Sequence, residues 1–80
     1  MGGYEEIQKL KKAYNEFIQR NMNGEQFLQS DRFFEGTEEK QEYWIRGFQE
    51  ISWELSRLRW EIEEKTGLKM TKYEILNGFL

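Results

Sequence analysis

Apolar residues fall into three stretches of helical spacing along this chain. Ile7, Leu10, Tyr14, Phe17 and Ile18 recur in steps of three and four, with Lys9, Lys11, Lys12, Glu16 and Arg20 filling the remaining positions. This spacing keeps the apolar side chains on one face and predicts a first helix over 4–22. Asn23-Gly24 forms its expected stop, because both residues tolerate the left-handed backbone that ends helices.

The second stretch is longer. Trp44, Phe48, Ile51, Leu55, Leu58 and Ile62 alternate steps of four and three and predict a helix over 38–65. Thr37 is placed to cap its start, and Glu38, Glu39 and Glu42 suit the positive end of the helix dipole. Gly67 stops it, with Leu68 expected to fold against the last turn near Ile62. Gly47 interrupts a good helix former at a cost of about 0.5–1 kcal/mol, for which close approach of another backbone or ring is the expected compensation. Trp53 and Trp60 lie seven apart on nearly the opposite face from the main stripe.

A third, shorter helix is predicted over 72–77. Thr71 and Glu74 have the spacing of a capping box, and Met70 and Ile75 occupy the two positions of a hydrophobic staple. This helix is expected to turn back and lay Tyr73, Ile75, Leu76 and Phe79 on the second. Between the long helices, Phe27, Leu28, Phe33 and Phe34 come as two adjacent pairs. Ser30 or Asp31 is placed to cap one helical turn ended by Gly36, and the phenylalanines are expected to close the end of the core.

These elements predict an all-α fold in a single domain over 1–80: an antiparallel pair of long helices (4–22, 38–65) with a short C-terminal helix (72–77). The expected core is Ile7, Leu10, Tyr14, Phe17, Trp44, Phe48, Ile51, Leu55, Leu58 and Ile62. A 28-residue rod of about 42 Å beside a partner of about 28 Å leaves an overhang.

Composition narrows the chemistry. Thirteen aromatics in 80 residues supply the burial, since no cysteine can form a disulfide and no histidine or cysteine can hold a structural zinc. The absence of proline lets long helices run unbroken. The start of the chain has no basic, apolar signal sequence and no stretch approaches the ~20 apolar residues that span a bilayer. A soluble, cytoplasmic protein with no membrane partner is expected. Twelve basic against fifteen acidic residues give a net charge of −3, which exerts no general pull on nucleic acid.

No catalytic constellation appears. Glu38-Glu39-Glu42 and Glu61-Glu64 invite comparison with paired-carboxylate magnesium sites, but on one helix Glu39 and Glu61 stand about 33 Å apart. Di-iron and nucleophile systems that need histidine or cysteine are excluded, and no glycine-rich phosphate loop is present. The expectation is a protein that is not an enzyme and carries no metal or other cofactor.

Function therefore falls to the surface. Trp53, Arg57 and Trp60, among Glu50, Glu54, Glu61 and Glu64, form a mixed-charge aromatic patch with the anchor residue types of protein interfaces. Three occupants are open for it: another part of this chain, a second copy in a homodimer through residues 38–65, or a different protein. Binding to another protein is the expected function, as a small regulator or inhibitor. A phage or mobile-element product that blocks a host protein, an anti-CRISPR for example, is one concrete version, at the level of class alone. The alternative is a small nucleic-acid-associated transcriptional regulator, dimeric in one version, using Lys9, Lys11, Lys12 and Arg20 or Arg46, Arg57 and Arg59.

Overall fold

The structure is a computed structural model that describes residues 3–80, so expectations resting on Met1 and Gly2 lie outside the described residues. Among the described residues four helices follow in order: α1 (Tyr4–Leu28), α2 (Asp31–Phe34), α3 (Glu38–Thr66) and α4 (Lys72–Asn77). The fold is all-α, with no strand among the described residues. The long helices α1 and α3 pack antiparallel: Glu6 near the start of α1 pairs with Lys65 near the end of α3 at 2.9 Å, while Gly24 meets Phe48.

The local signals act where the sequence places them. Thr37 accepts from the Lys40 amide at 3.2 Å, and Ser30 from the Phe33 amide at 3.4 Å to start the single turn of α2. At α4 the capping box is complete. Thr71 Oγ1 accepts from the Glu74 amide at 3.1 Å, and Glu74 Oε1 accepts from the Thr71 amide at 2.8 Å. The staple holds too, with Met70 buried and Ile75 packed on the same cluster.

The end of the first helix is a correction. α1 does not stop at Asn23-Gly24 but runs 25 residues to Leu28. A Cβ on Gly24 would sit 2.8 Å from the Phe48 ring, so the glycine serves helix packing rather than helix ending. Length changes with it. At about 1.5 Å per residue α1 reaches about 38 Å against about 44 Å for the 29-residue α3, and most of the expected overhang disappears.

The interior is divided. One cluster holds Tyr14, Ile18, Leu58, Ile62 and Met70, with Leu10, Ala13, Phe17, Leu55, Ile75 and Phe79 packed around it. At the other end Phe27, Phe33 and Trp44 form an edge-on and tilted aromatic group with centroids 4.8–6.2 Å apart. Ile7, Phe48 and Ile51, expected in the core, are half-buried, as in any two-helix layer with one open side. Gln41 Nε2 closes the α2 end by donating to the carbonyls of Phe33, Phe34 and Gly36 at 3.1–3.3 Å. Phe34 itself points out, 66 % exposed.

Two C-terminal expectations are also corrected. Leu68 does not fold onto Ile62 and is exposed, because Thr66 Oγ1 donates to the Ile62 carbonyl (2.7 Å) and accepts from the Leu68 amide (3.2 Å). Met70 fills the place instead. α4 lies against α1 rather than along α3, so Tyr73 and Leu76 remain exposed. Tyr14 Oη donates to the Ile75 carbonyl at 2.6 Å, and Asn15 brackets Phe79, accepting from its amide at 2.6 Å and donating to its carbonyl at 2.9 Å. Among the described residues no helix is long and apolar enough to cross a membrane.

Candidate interface on the outer face of α3

The main stripe of α3 turns inward against α1, which fixes the opposite face outward. Trp53 and Trp60 are 78 % and 65 % exposed. With α4 docked on α1, nothing among the described residues covers them, so of the three occupants left open another part of this chain is set aside. Indoles of this exposure leave apolar area in water that a folded monomer ordinarily hides.

Arg57 stands between the two tryptophans and is held in place. Its guanidinium reaches Glu54 at 2.7 Å and Glu61 at 3.2 Å, one turn to either side. The Glu54 carboxylate, joined by Glu61, raises the arginine pKa above its usual value. Arg59, on the neighbouring edge, pairs with Glu63 at 3.4 Å. Arg57 and Arg59 thus carry carboxylate partners, while Arg46, the third arginine beside the tryptophans, has none among the described residues. Glu50 and Glu64 belong to the same face but stand outside this network.

Lys9, Lys11, Lys12 and Arg20 do not join the patch, being on α1. Lys11 lies 5.0 Å from the Phe79 ring centroid and Arg20 4.9 Å from that of Phe17, so two of the four cover aromatic rings of the fold. Glu38, Glu39 and Glu42 sit in the first turns of α3 and Glu61-Glu64 near its other end, on one unbroken helix.

Two features of the site escape a stripe-based reading. Ser52 and Ser56 flank Trp53 and leave a shallow hollow beside the indole. Gly47 touches nothing: a Cβ there would find open space, so the expected close contact within the chain is absent. It borders an apolar groove of about 490 Å³ between α1 and α3, lined by Gly24, Phe27, Tyr43, Trp44 and Phe48 among others. The sequence signal was the glycine itself, a helix-weakening residue without a partner. A second cleft of about 590 Å³, between α1 and α4, is lined by Lys11, Lys12, Asn15 and Phe79. Among the described residues no group of three or more acidic side chains is placed to hold a metal ion.

No protein-family model, curated protein or solved structure matches the chain.

Proposed function

We propose that this is a non-catalytic binding protein that recognises another protein through the outer face of α3. The observation that carries the reading is the pair of exposed indoles, Trp53 and Trp60, on one helix face with Arg57 fixed between them. Tryptophan and arginine are the residue types that dominate interface energetics, and a prepositioned arginine loses less entropy when it docks. The surrounding Glu50, Glu54, Glu61 and Glu64 give the rim an acidic character that favours a partner with basic groups around an apolar centre. A protein of this size with no convergent catalytic groups acts by occupying its target's surface, as a stoichiometric regulator or inhibitor does.

The reading is tested by affinity capture from the source organism's lysate with the wild-type protein, Trp53→Ala and Trp60→Ala, circular dichroism confirming equal helicity. A protein retained by the wild type should bind each variant at least about 30-fold more weakly, as expected for an anchor worth about 2 kcal/mol. Equal retention by all three proteins refutes the assignment of the face.

A further inference from the structure

Counted in threes and fours, the outer face of α3 reads Arg46, Gln49, Trp53, Ser56, Trp60. Larger and smaller side chains alternate about a point between Trp53 and Ser56. Set against itself in the opposite direction, with Trp53 of one copy level with Ser56 of the other, this series is self-complementary. Trp60 then falls level with Gln49. We infer that a second copy of this chain docks on this face, pairing α3 with α3 antiparallel about a two-fold axis. The inference rests on the outer face being a binding surface and names a second occupant for it, one that competes with the other protein for the same indoles.

Size and charge both select the antiparallel arrangement. The hollow between Ser52 and Ser56 receives the indole of the other copy's Trp53, as a knob enters a hole between facing helices. On the flank, Glu50 comes within one turn of the other copy's Arg57, and the two-fold repeats that pair. A parallel two-fold instead sets Arg46 on Arg46 and Trp53 on Trp53, and carries Glu50 and Arg57 to opposite flanks, where they do not pair. The stretch from Arg46 to Trp60 is about 21 Å long, all of it within α3. Four indoles and their neighbours would bury roughly 1,000 Å² in total, at the lower edge of specific interfaces, where association is weak.

Sedimentation equilibrium from about 5 to 500 µM reads the outcome directly. The wild type should move from 9.8 kDa toward twice that mass. Glu50→Arg and Arg57→Glu should each stay monomeric alone, facing like charge in the second copy. Mixed in equal amounts they should form a heterodimer, because the two substitutions restore opposite charges at both symmetric positions. If Arg57→Glu loses helicity beside Glu54 and Glu61, Ser56→Arg carries the test: exposed and tolerant of size, it fills the hollow and should raise the dimer dissociation constant at least about 30-fold.

A wild type that stays at 9.8 kDa throughout overturns the second copy while leaving capture of another protein by the same face to its own test. A wild-type dimer indifferent to Ser56→Arg, Trp53→Ser and both charge swaps places self-association elsewhere and overturns the inference, again leaving capture of another protein by this face to its own test. Monomeric single variants that do not recover on mixing overturn the antiparallel register.

Discussion

Gly24 and Gly47 are the same residue in two long helices, and their surroundings give them opposite roles. At Gly24 a methyl group would strike the Phe48 ring, so Gly24→Ala should cost about 1 kcal/mol after its gain in helix propensity is offset by overpacking. At Gly47 the methyl meets nothing, so Gly47→Ala should stabilise by about 0.5–1 kcal/mol. Urea denaturation of the two variants checks the sign of each. The sequence offered no means of telling them apart: Asn23-Gly24 carries a helix-stop signature, and only the ring arriving from 24 positions downstream turns it into a packing site. Glu63 brings in pH. Its carboxylate accepts from the Met70 amide at 2.9 Å and faces Arg59, which together hold its pKa below the usual 4.5. A carboxylate lowered in the folded state stabilises above its unfolded pKa and loses that contribution as pH falls through the folded value. Thermal stability should therefore be flat from neutral pH to about 5 and then decline in acid, with a shallower decline in Glu63→Gln. A decline equally steep in that variant assigns the acid sensitivity to other carboxylates, Glu6 beside Lys65 first among them.

Among the elements, α4 shows how much a short helix owes to its ends. Six residues are far too few to be helical alone, so the capping box and the contacts with Tyr14 and Asn15 must hold it. Thr71→Ala should cost about 1 kcal/mol, and its amides over 72–77 should exchange with deuterium faster while those of α1 and α3 do not change. Tyr14→Phe keeps the ring and removes the bond to the Ile75 carbonyl, an expected loss of about 1 kcal/mol read by denaturation. The boundaries of α4 were legible because capping is a short-range code, written in Thr71, Glu74 and the following Gly78. Its docking site was not. Which long helix it lies on depends on Tyr14 and Asn15, more than 60 positions away, and nothing in the periodicity of α1 sets those two apart as donors. The exposure of Trp53 and Trp60 follows from that docking and was equally hidden.

As a whole the molecule is a rod, 48 × 20 × 18 Å, with a Cα radius of gyration of 15.0 Å. A compact chain of this length would have about 11.6 Å. A two-helix layer has no second layer to hide its outer face, and this places a tryptophan surface in solvent more directly than any local signal. Small-angle scattering should show the proposed dimer gaining width with almost no gain in length, because the paired stretch is centred close to the middle of α3. A dimer that nearly doubles its maximum dimension would indicate end-to-end association instead. The clasp between Tyr14 and Ile75 adds a clock to this architecture. Its two halves lie 61 positions apart in the chain, so at about 5–20 residues per second a ribosome delivers the second roughly 3–12 s after the first. The helix bearing Tyr14 can form in about a microsecond. Between those two moments the α1–α3 pair exists as an unlatched hairpin in the making, and its clasp waits on the speed of translation rather than on the speed of folding.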